Sequence, residues 1–226
     1  MRRGPLGELA AEIVGCERCP CLLAHCRETA RVRVRRFRDE IYWGRPVPAF
    51  GDPQAKLLVV GLAPAAHGAN RTGRMFTGDD SGAWLFRALH EAGFATQPTS
   101  VRSDDGLALR GAYVTASAHC APPDNRPLPS ELAACRGYLV RELALLRRVT
   151  VVLALGAIAW GSVLAALAES GVVLRPKPRF AHGAEVRLDA RRVLVGSYHP
   201  SRQNTQTGKL TRGMLAAVLT RVRALA

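Results

Sequence analysis

Four short apolar runs set what this chain can become: KLLVVGLAP from Lys56, AYVTASA from Ala112, TVVLALG from Thr150, and VLVGS within the segment that ends at His199-Pro200. Runs this short and continuous, bounded by Gly and Pro, read as strands buried on both faces. Helical patterns lie between them. AWLFRALHEAG has Trp84, Leu85, Ala88 and Leu89 at helical spacing and a stop at Gly93. SELAACRGYLVRELALL has Ser130 placed as an N-cap, AIAWGSVLAALAES follows the third run, and a last helix lies near 212–225. Strands alternating with helices predict a mainly parallel sheet in a layered α/β domain. The VRLDARR stretch reads as a hairpin strand ahead of the fourth core strand.

In such sheets ligands sit at the carboxyl ends of the strands. Three polar loops fall there, at 63–82, 117–130 and 199–211. Ahead of the first strand, residues 1–15 read as a helix with Leu6, Leu9, Ala10 and Ile13 on one face. The basic and apolar alternation of RVRVRRFR at 31–38 suits a strand or extended arm. Pro46 to Ala55 reads as a loop.

The chain has 226 residues, which favours one domain, and 48% of them are apolar, which excludes global disorder. No run approaches the roughly 18 apolar residues of a membrane span, and the N-terminus lacks the apolar core of a secretion signal. A cytoplasmic protein is expected. The net charge of +14 comes almost wholly from arginine, the cation that grips phosphate in bidentate fashion. Charge of this size points to a polyanion, nucleic acid first and anionic membrane second. An arginine-rich genome explains the same number with no function attached.

The six cysteines are Cys16, Cys19, Cys21, Cys26, Cys120 and Cys135. With no secretory segment, metal or redox chemistry is the stronger reading. Cys16-x-x-Cys19 together with Cys120 and Cys135 fits tetrahedral zinc or an iron–sulfur cluster, and Cys21 or Cys26 could replace a ligand.

GLAPAAHGANRTGRMFTGDDSG at 61–82 is rich in glycine and so permits tight turns and close approach to a ligand. His67, Asn70, Arg71, Thr72 and Arg74 offer donors there, and Asp79 and Asp80 add carboxylates. Phe76 is either a core anchor or a ring that stacks on a planar ligand. The segment is not a P-loop, because the G-x-x-x-x-G-K-[ST] pattern is missing. A histidine ending a buried strand, as His199 does, is well placed to touch a ligand. The polar loop after it suits a nucleic-acid groove beside an unstacked base.

Three segments carry a family resemblance: GLAPAAHGANRTGRMFTGD at 61–79, CAPPDNRPLPSELAAC at 120–135 and HPSRQN at 199–204. Together with the Cys16/Cys19 pair they resemble the uracil-DNA glycosylase superfamily, specifically its iron–sulfur family 5, over essentially the whole chain. The resemblance implies one α/β domain over residues 1–226, a three-layer sandwich with a central four-stranded parallel sheet and a cluster-ligand segment at 1–45. It implies a structural 4Fe–4S cluster on Cys16, Cys19, Cys120 and Cys135. It also implies a monomeric enzyme that flips a damaged base out of double- or single-stranded DNA and hydrolyses its N-glycosidic bond. Family 5 accepts deaminated purines and modified pyrimidines besides uracil.

The expected catalytic residues are Asp79, His199 and Asn125. Gly61, Ala63, Phe76, His67 and Arg202 are the expected substrate contacts. Two departures are visible. Pro64-Ala65-Ala66 has no polar water-activating residue where the superfamily usually has one. Ala116 replaces the asparagine with which family 4 reads the uracil edge. Losing a hydrogen-bonding base reader relaxes specificity. Two readings of other classes compete. A zinc-stabilised nucleic-acid-binding module leaves the pocket loop unexplained, and a hydrolase of free nucleotides leaves the charge unexplained.

Overall fold

The computed structural model describes residues 4–226. Among them the chain forms one sheet of six strands and eight α-helices. The strands are β1 (Phe50–Gly51), β2 (Leu57–Gly61), β3 (Ala112–Ala116), β4 (Val151–Leu155), β5 (Glu185–Arg187) and β6 (Val193–Ser197). The helices are α1 (Pro5–Val14), α2 (Pro20–Val32), α3 (Ala69–Thr72), α4 (Asp80–Glu91), α5 (Pro129–Leu145), α6 (Ala157–Glu169), α7 (Arg202–Gln206) and α8 (Arg212–Leu225).

The sheet order is β1-β3-β2-β4-β6-β5. Its four central strands are parallel, and each edge is closed by a short antiparallel strand. The expected four-stranded parallel core is therefore present, widened by β1 and β5.

Side chains alternate across the sheet with period two. Leu57, Val59, Val114, Leu153 and Val195 pack on one face against Leu85, Phe86 and Leu89 of α4 and Leu215, Val218 and Leu219 of α8. Leu58, Val60, Val152, Ala154 and Leu194 pack on the other against Leu139 and Leu143 of α5 and Trp160, Val163 and Leu167 of α6. Both faces are dry, which is why the strands read as unbroken apolar runs. Each fully buried Leu or Val contributes about 1.5–3 kcal/mol, so these two layers dominate stability. Outside them, Leu9 and Ile13 of α1 cover Tyr138 of α5.

The structure departs locally from the pattern of the sequence. The 31–38 stretch is not extended. Residues 31 and 32 end α2 and Arg35–Phe37 form a 3-10 turn. The reason is tertiary: Leu22, Leu23 and Cys26 form a buried helical stripe against Cys120 and Ala121, and Pro20 starts that helix at its first turn. Ser130 is not the cap of α5. Leu128 holds that position, with its N–H donated to the Glu131 carboxylate at 2.7 Å. The loop after His199 contains the short α7. The first helix is found as α1, while the first three residues of its predicted 1–15 range lie outside the described residues.

The topology dictates where a ligand can sit. From β2 the chain moves to β3 on one side and then crosses to β4 on the other. The order thus reverses at β2/β4, and the carboxyl ends of diverging parallel strands leave a crevice there.

Candidate active site

The crevice is floored by the last residues of the central strands. Gly61 ends β2, and its carbonyl accepts the N–H and the hydroxyl of Ser117, just beyond β3, at 2.9 and 3.0 Å. Gly156 follows β4 and donates its N–H to the Ser197 carbonyl at 2.8 Å. His199 stands just beyond β6.

Phe76 reaches this floor from the loop after β2. Its ring is buried and lies against Gly61, where a Cβ would stand 2.5 Å from Cζ. Only glycine leaves room for that approach. The ring of His199 is stacked on Phe76, with centroids 5.9 Å apart and planes 30° apart. The backbone of Phe76 is in the left-handed region, at φ +52°. Such a conformation in an aromatic residue costs about 1–3 kcal/mol and is held by its surroundings.

His199 is half-buried, and its burial pushes its pKa down to about 4. The ring is therefore neutral at pH 7 and carries one N–H donor. Its backbone is fixed through Asn204, whose side-chain amide donates to the His199 carbonyl at 2.8 Å. Ser201 caps α7 by accepting the Asn204 N–H at 3.4 Å. The HPSRQN segment is thus a strand end locked to a helical turn.

Asp79 is the N-cap of α4. One carboxylate oxygen accepts the Gly82 N–H at 2.8 Å, and the other faces Gly68, which has no Cβ to collide with it. Burial raises its pKa, partly offset by the Gly82 hydrogen bond. Asp80 is exposed and pairs with Arg202 at 3.3 Å across the rim of the crevice. An exposed pair of this kind contributes about 0–1 kcal/mol, so Arg202 is free to exchange Asp80 for a phosphate.

Other residues singled out from the sequence fall differently. Arg71 and Arg74 are buried, and their donors are spent inside the protein. Arg71 binds Glu40, the His67 carbonyl and the Gly78 carbonyl. Arg74 Nη2 donates to both carboxylate oxygens of Asp105 at 2.8–2.9 Å, and the guanidinium also binds Thr77, Ser100 and Ser103. Thr72 gives its hydroxyl to loop carbonyls. Asn70 donates to the carbonyls of Cys26 and Ala66. These four side chains shape the loop rather than offer donors to a ligand.

His67 is half-buried, with Nδ1 3.1 Å from the Tyr42 hydroxyl. Burial, Arg71 and His25 push its pKa down. Asn125 is exposed at the end of a 3-10 turn in the 117–130 loop, with φ +55°. No hydrogen bond joins its side chain to Asp79 or His199. Ala63 is half-buried just beyond β2. Ala116 is paired with Gly61 in the sheet and packs in the same cluster as Phe76. An alanine methyl thus lies beside Phe76 at the end of β3.

The cysteines gather at the opposite flank of β3. Cys16 follows α1, Cys19 caps α2, Cys120 lies in the loop after β3, and Cys135 is buried on α5. Burial pushes the Cys135 thiol up to about 11, and Cys19 and Cys16 push it the same way. Cys120 is raised by its hydrogen-bonded neighbour Cys26, by burial, and by Cys26, Cys135 and Cys16. The four thiols are thus within electrostatic reach of one another. Among the described residues no three His, Cys, Asp or Glu side chains converge as ligands of a single metal ion.

The profile of the Uracil DNA glycosylase superfamily matches residues 48–223. The chain belongs to this superfamily. It is 52% identical to a type-5 uracil-DNA glycosylase of Thermus thermophilus over 95% of both chains. It is 47% identical to one of Mycobacterium tuberculosis over 99% of this chain and 82% of the relative. The type-5 uracil-DNA glycosylase of Pyrobaculum aerophilum is 46% identical over 98% and 94%. No helix among the described residues is long and apolar enough to cross a membrane.

Proposed function

We propose that this chain is a monofunctional DNA glycosylase that excises uracil from DNA by hydrolysis, leaving an abasic site. The observation that carries the reading is the Phe76–His199 pair over Gly61 at the switch point of a superfamily member. The target nucleotide swings out of the stack, and Phe76 offers its face to the base. The glycosidic bond breaks with its electron pair going to the base. Neutral His199 donates a hydrogen bond to the base oxygen where that charge develops. Water adds to C1′ of the sugar and gives its proton to Asp79, whose uncapped oxygen faces the loop at Gly68. Asn125 positions that water or the sugar from the 117–130 loop.

Gly61, Ala63 and His67 line the approach, and Arg202 takes a backbone phosphate. Ala116 presents a methyl where a base-reading amide would reject other bases, so the range extends to deaminated purines and modified pyrimidines. The substrate grip is electrostatic. About six phosphate contacts predict roughly a thousandfold loss of affinity between 50 and 200 mM salt.

The donor chemistry of Cys16, Cys19, Cys120 and Cys135 fits a 4Fe–4S cluster: four thiols, mutually repelling when ionised, with no imidazole or carboxylate among them. Bound to such a cluster, the four thiolates would ligate separate irons rather than one ion. When bound, the cluster supplies a cross-link rather than chemistry, because glycosidic hydrolysis transfers no electron. Held by these four residues, it would tie the Cys16–Cys19 segment to the loop after β3 and to α5 within one domain over residues 1–226 that includes the 1–45 ligand segment. Iron and sulfide content tests this; zinc without iron rejects it.

The function is tested by single-turnover excision from oligonucleotides carrying uracil, hypoxanthine, xanthine or modified pyrimidines, beside free deoxyuridine. Release from DNA and none from the nucleoside supports the reading. The reverse result identifies a nucleoside hydrolase.

A further inference from the structure

A cleft of about 490 Å³ runs from the rim of the crevice down between α4, α7 and α8. It begins at Asp80 and Arg202, the pair that spans the rim, and ends at Glu91. At 1.5 Å per helical residue, Asp80 to Glu91 covers about 16 Å. The cleft thus continues the site along one side of the molecule.

Its lining is unusual in two respects. First, Arg87, Arg202 and Arg212 all face it, against the carboxylates of Asp80 and Glu91. Second, it contains a half-buried tryptophan, Trp84, with the Arg212 guanidinium 5.5 Å from its ring. The other two tryptophans give their indole N–H groups to backbone carbonyls, Trp43 to Pro46 and Trp160 to Pro178. Trp84 donates to no protein group among the described residues. Partly buried indoles usually find a partner. An aromatic face beside guanidinium groups is how proteins hold single-stranded nucleic acid: the ring stacks on a base, and the cations track the phosphates.

We infer that this cleft binds the single-stranded continuation of the DNA strand whose flipped nucleotide occupies the crevice, with Trp84 stacked on a base and Arg87 and Arg212 on phosphates. The occupant is a polynucleotide rather than a free nucleotide, because the cleft starts at Asp80 and Arg202, one residue after Asp79 and three after His199, and extends away from them. The inference rests on the proposed glycosylase reading. It deepens that reading by giving the enzyme a preference for unpaired DNA beside the lesion.

The test uses single-stranded oligonucleotides with a stable abasic-site analogue and an arm of increasing length on the 5′ or the 3′ side. On one side only, lengthening the arm should raise affinity about tenfold, the size expected of one base stacked on an aromatic ring, and should quench tryptophan fluorescence. Trp84→Phe should keep most of the affinity gain and lose the quenching. Arg87→Ala and Trp84→Ala should lose the gain while excising uracil from a short-armed substrate at the wild-type rate when DNA saturates. Because Trp84 also packs on the core, a poorly folded Trp84→Ala leaves the decision to Arg87→Ala, whose side chain is exposed. Affinity independent of both arms, or a gain that survives in Arg87→Ala, overturns the inference. Failure of wild-type excision on the short-armed substrate strikes the glycosylase reading instead.

Discussion

Gly61→Ala separates the geometry of the base slot from its chemistry. The new methyl would stand 2.5 Å from Phe76 Cζ and 2.6 Å from Cε2. Carbon atoms pack at about 3.5–4.0 Å, so the ring must retreat by about 1 Å or more. Its retreat is hindered, because Phe76 is 8% exposed, in left-handed backbone and stacked on His199. Overpacking of this kind costs about 1–3 kcal/mol. A displaced ring also forfeits base stacking worth about 1–3 kcal/mol, which is about a fivefold to hundredfold loss of productive binding. The assay is single-turnover excision over a range of enzyme concentrations, beside urea denaturation. Gly61→Ala should be less stable and should need more enzyme to reach half its maximal rate. Phe76→Ala removes the object of the collision, so Gly61→Ala/Phe76→Ala should be more stable than additivity of the two single variants allows, with no recovery of excision. Wild-type excision by Gly61→Ala, or strict additivity in the double variant, refutes the packing of Phe76 on Gly61 as the basis of the slot.

His199→Ala should slow excision by about a hundredfold to a thousandfold while leaving DNA affinity nearly unchanged. Wild-type rates should show no His199 titration between pH 6 and 8, since its ring protonates only near 4. Asp79→Asn keeps a good N-cap and Asp79→Ala does not, a difference of about 1 kcal/mol in stability. Both should lose excision, and full activity in Asp79→Asn would leave Asp79 a helix cap alone. Asp105→Ala should destabilise the fold by about 3–5 kcal/mol in a denaturation curve, because it strands the buried Arg74 charge. Glu142 of α5 is 1% exposed, and burial pushes its pKa up to about 8, only partly offset by the neighbouring Thr115 hydroxyl. Its neutral form is the one the fold accepts, so its stability is present below pH 4.5 and lost as pH rises through 8. Between pH 5 and 8 the wild type should lose about 3 kcal/mol more than Glu142→Gln, and equal pH dependence in the two refutes that burial.

The four central strands and most of the helices are legible in the amino-acid sequence. The four central strands were legible because a strand covered on both faces must be apolar at every position, and such runs need no partner to be recognised. The helices α4, α5, α6 and α8 were legible from their 3.6-residue patterns, and the site's neighbourhood from where the polar loops fell. The tertiary structure decided the rest. The helical stripe of α2 is defined only by Cys120 and Ala121, which come from the far side of β3, and the nearby Arg and Val alternation hid it. Of the edge strands, β5 lies where a hairpin strand is expected ahead of β6, whereas β1 has two residues and is too short to carry a period. Arg71 and Arg74 looked like ligand donors in a glycine-rich loop. Their partners Glu40 and Asp105 lie about 30 residues away on opposite sides of that loop, and no local pattern could assign those donors. Phe76 and His199 were each ambiguous alone. A ring in a loop and a histidine after a strand become one site only when parallel strands bring their carboxyl ends together, and that contact depends on strand order, which local sequence does not encode.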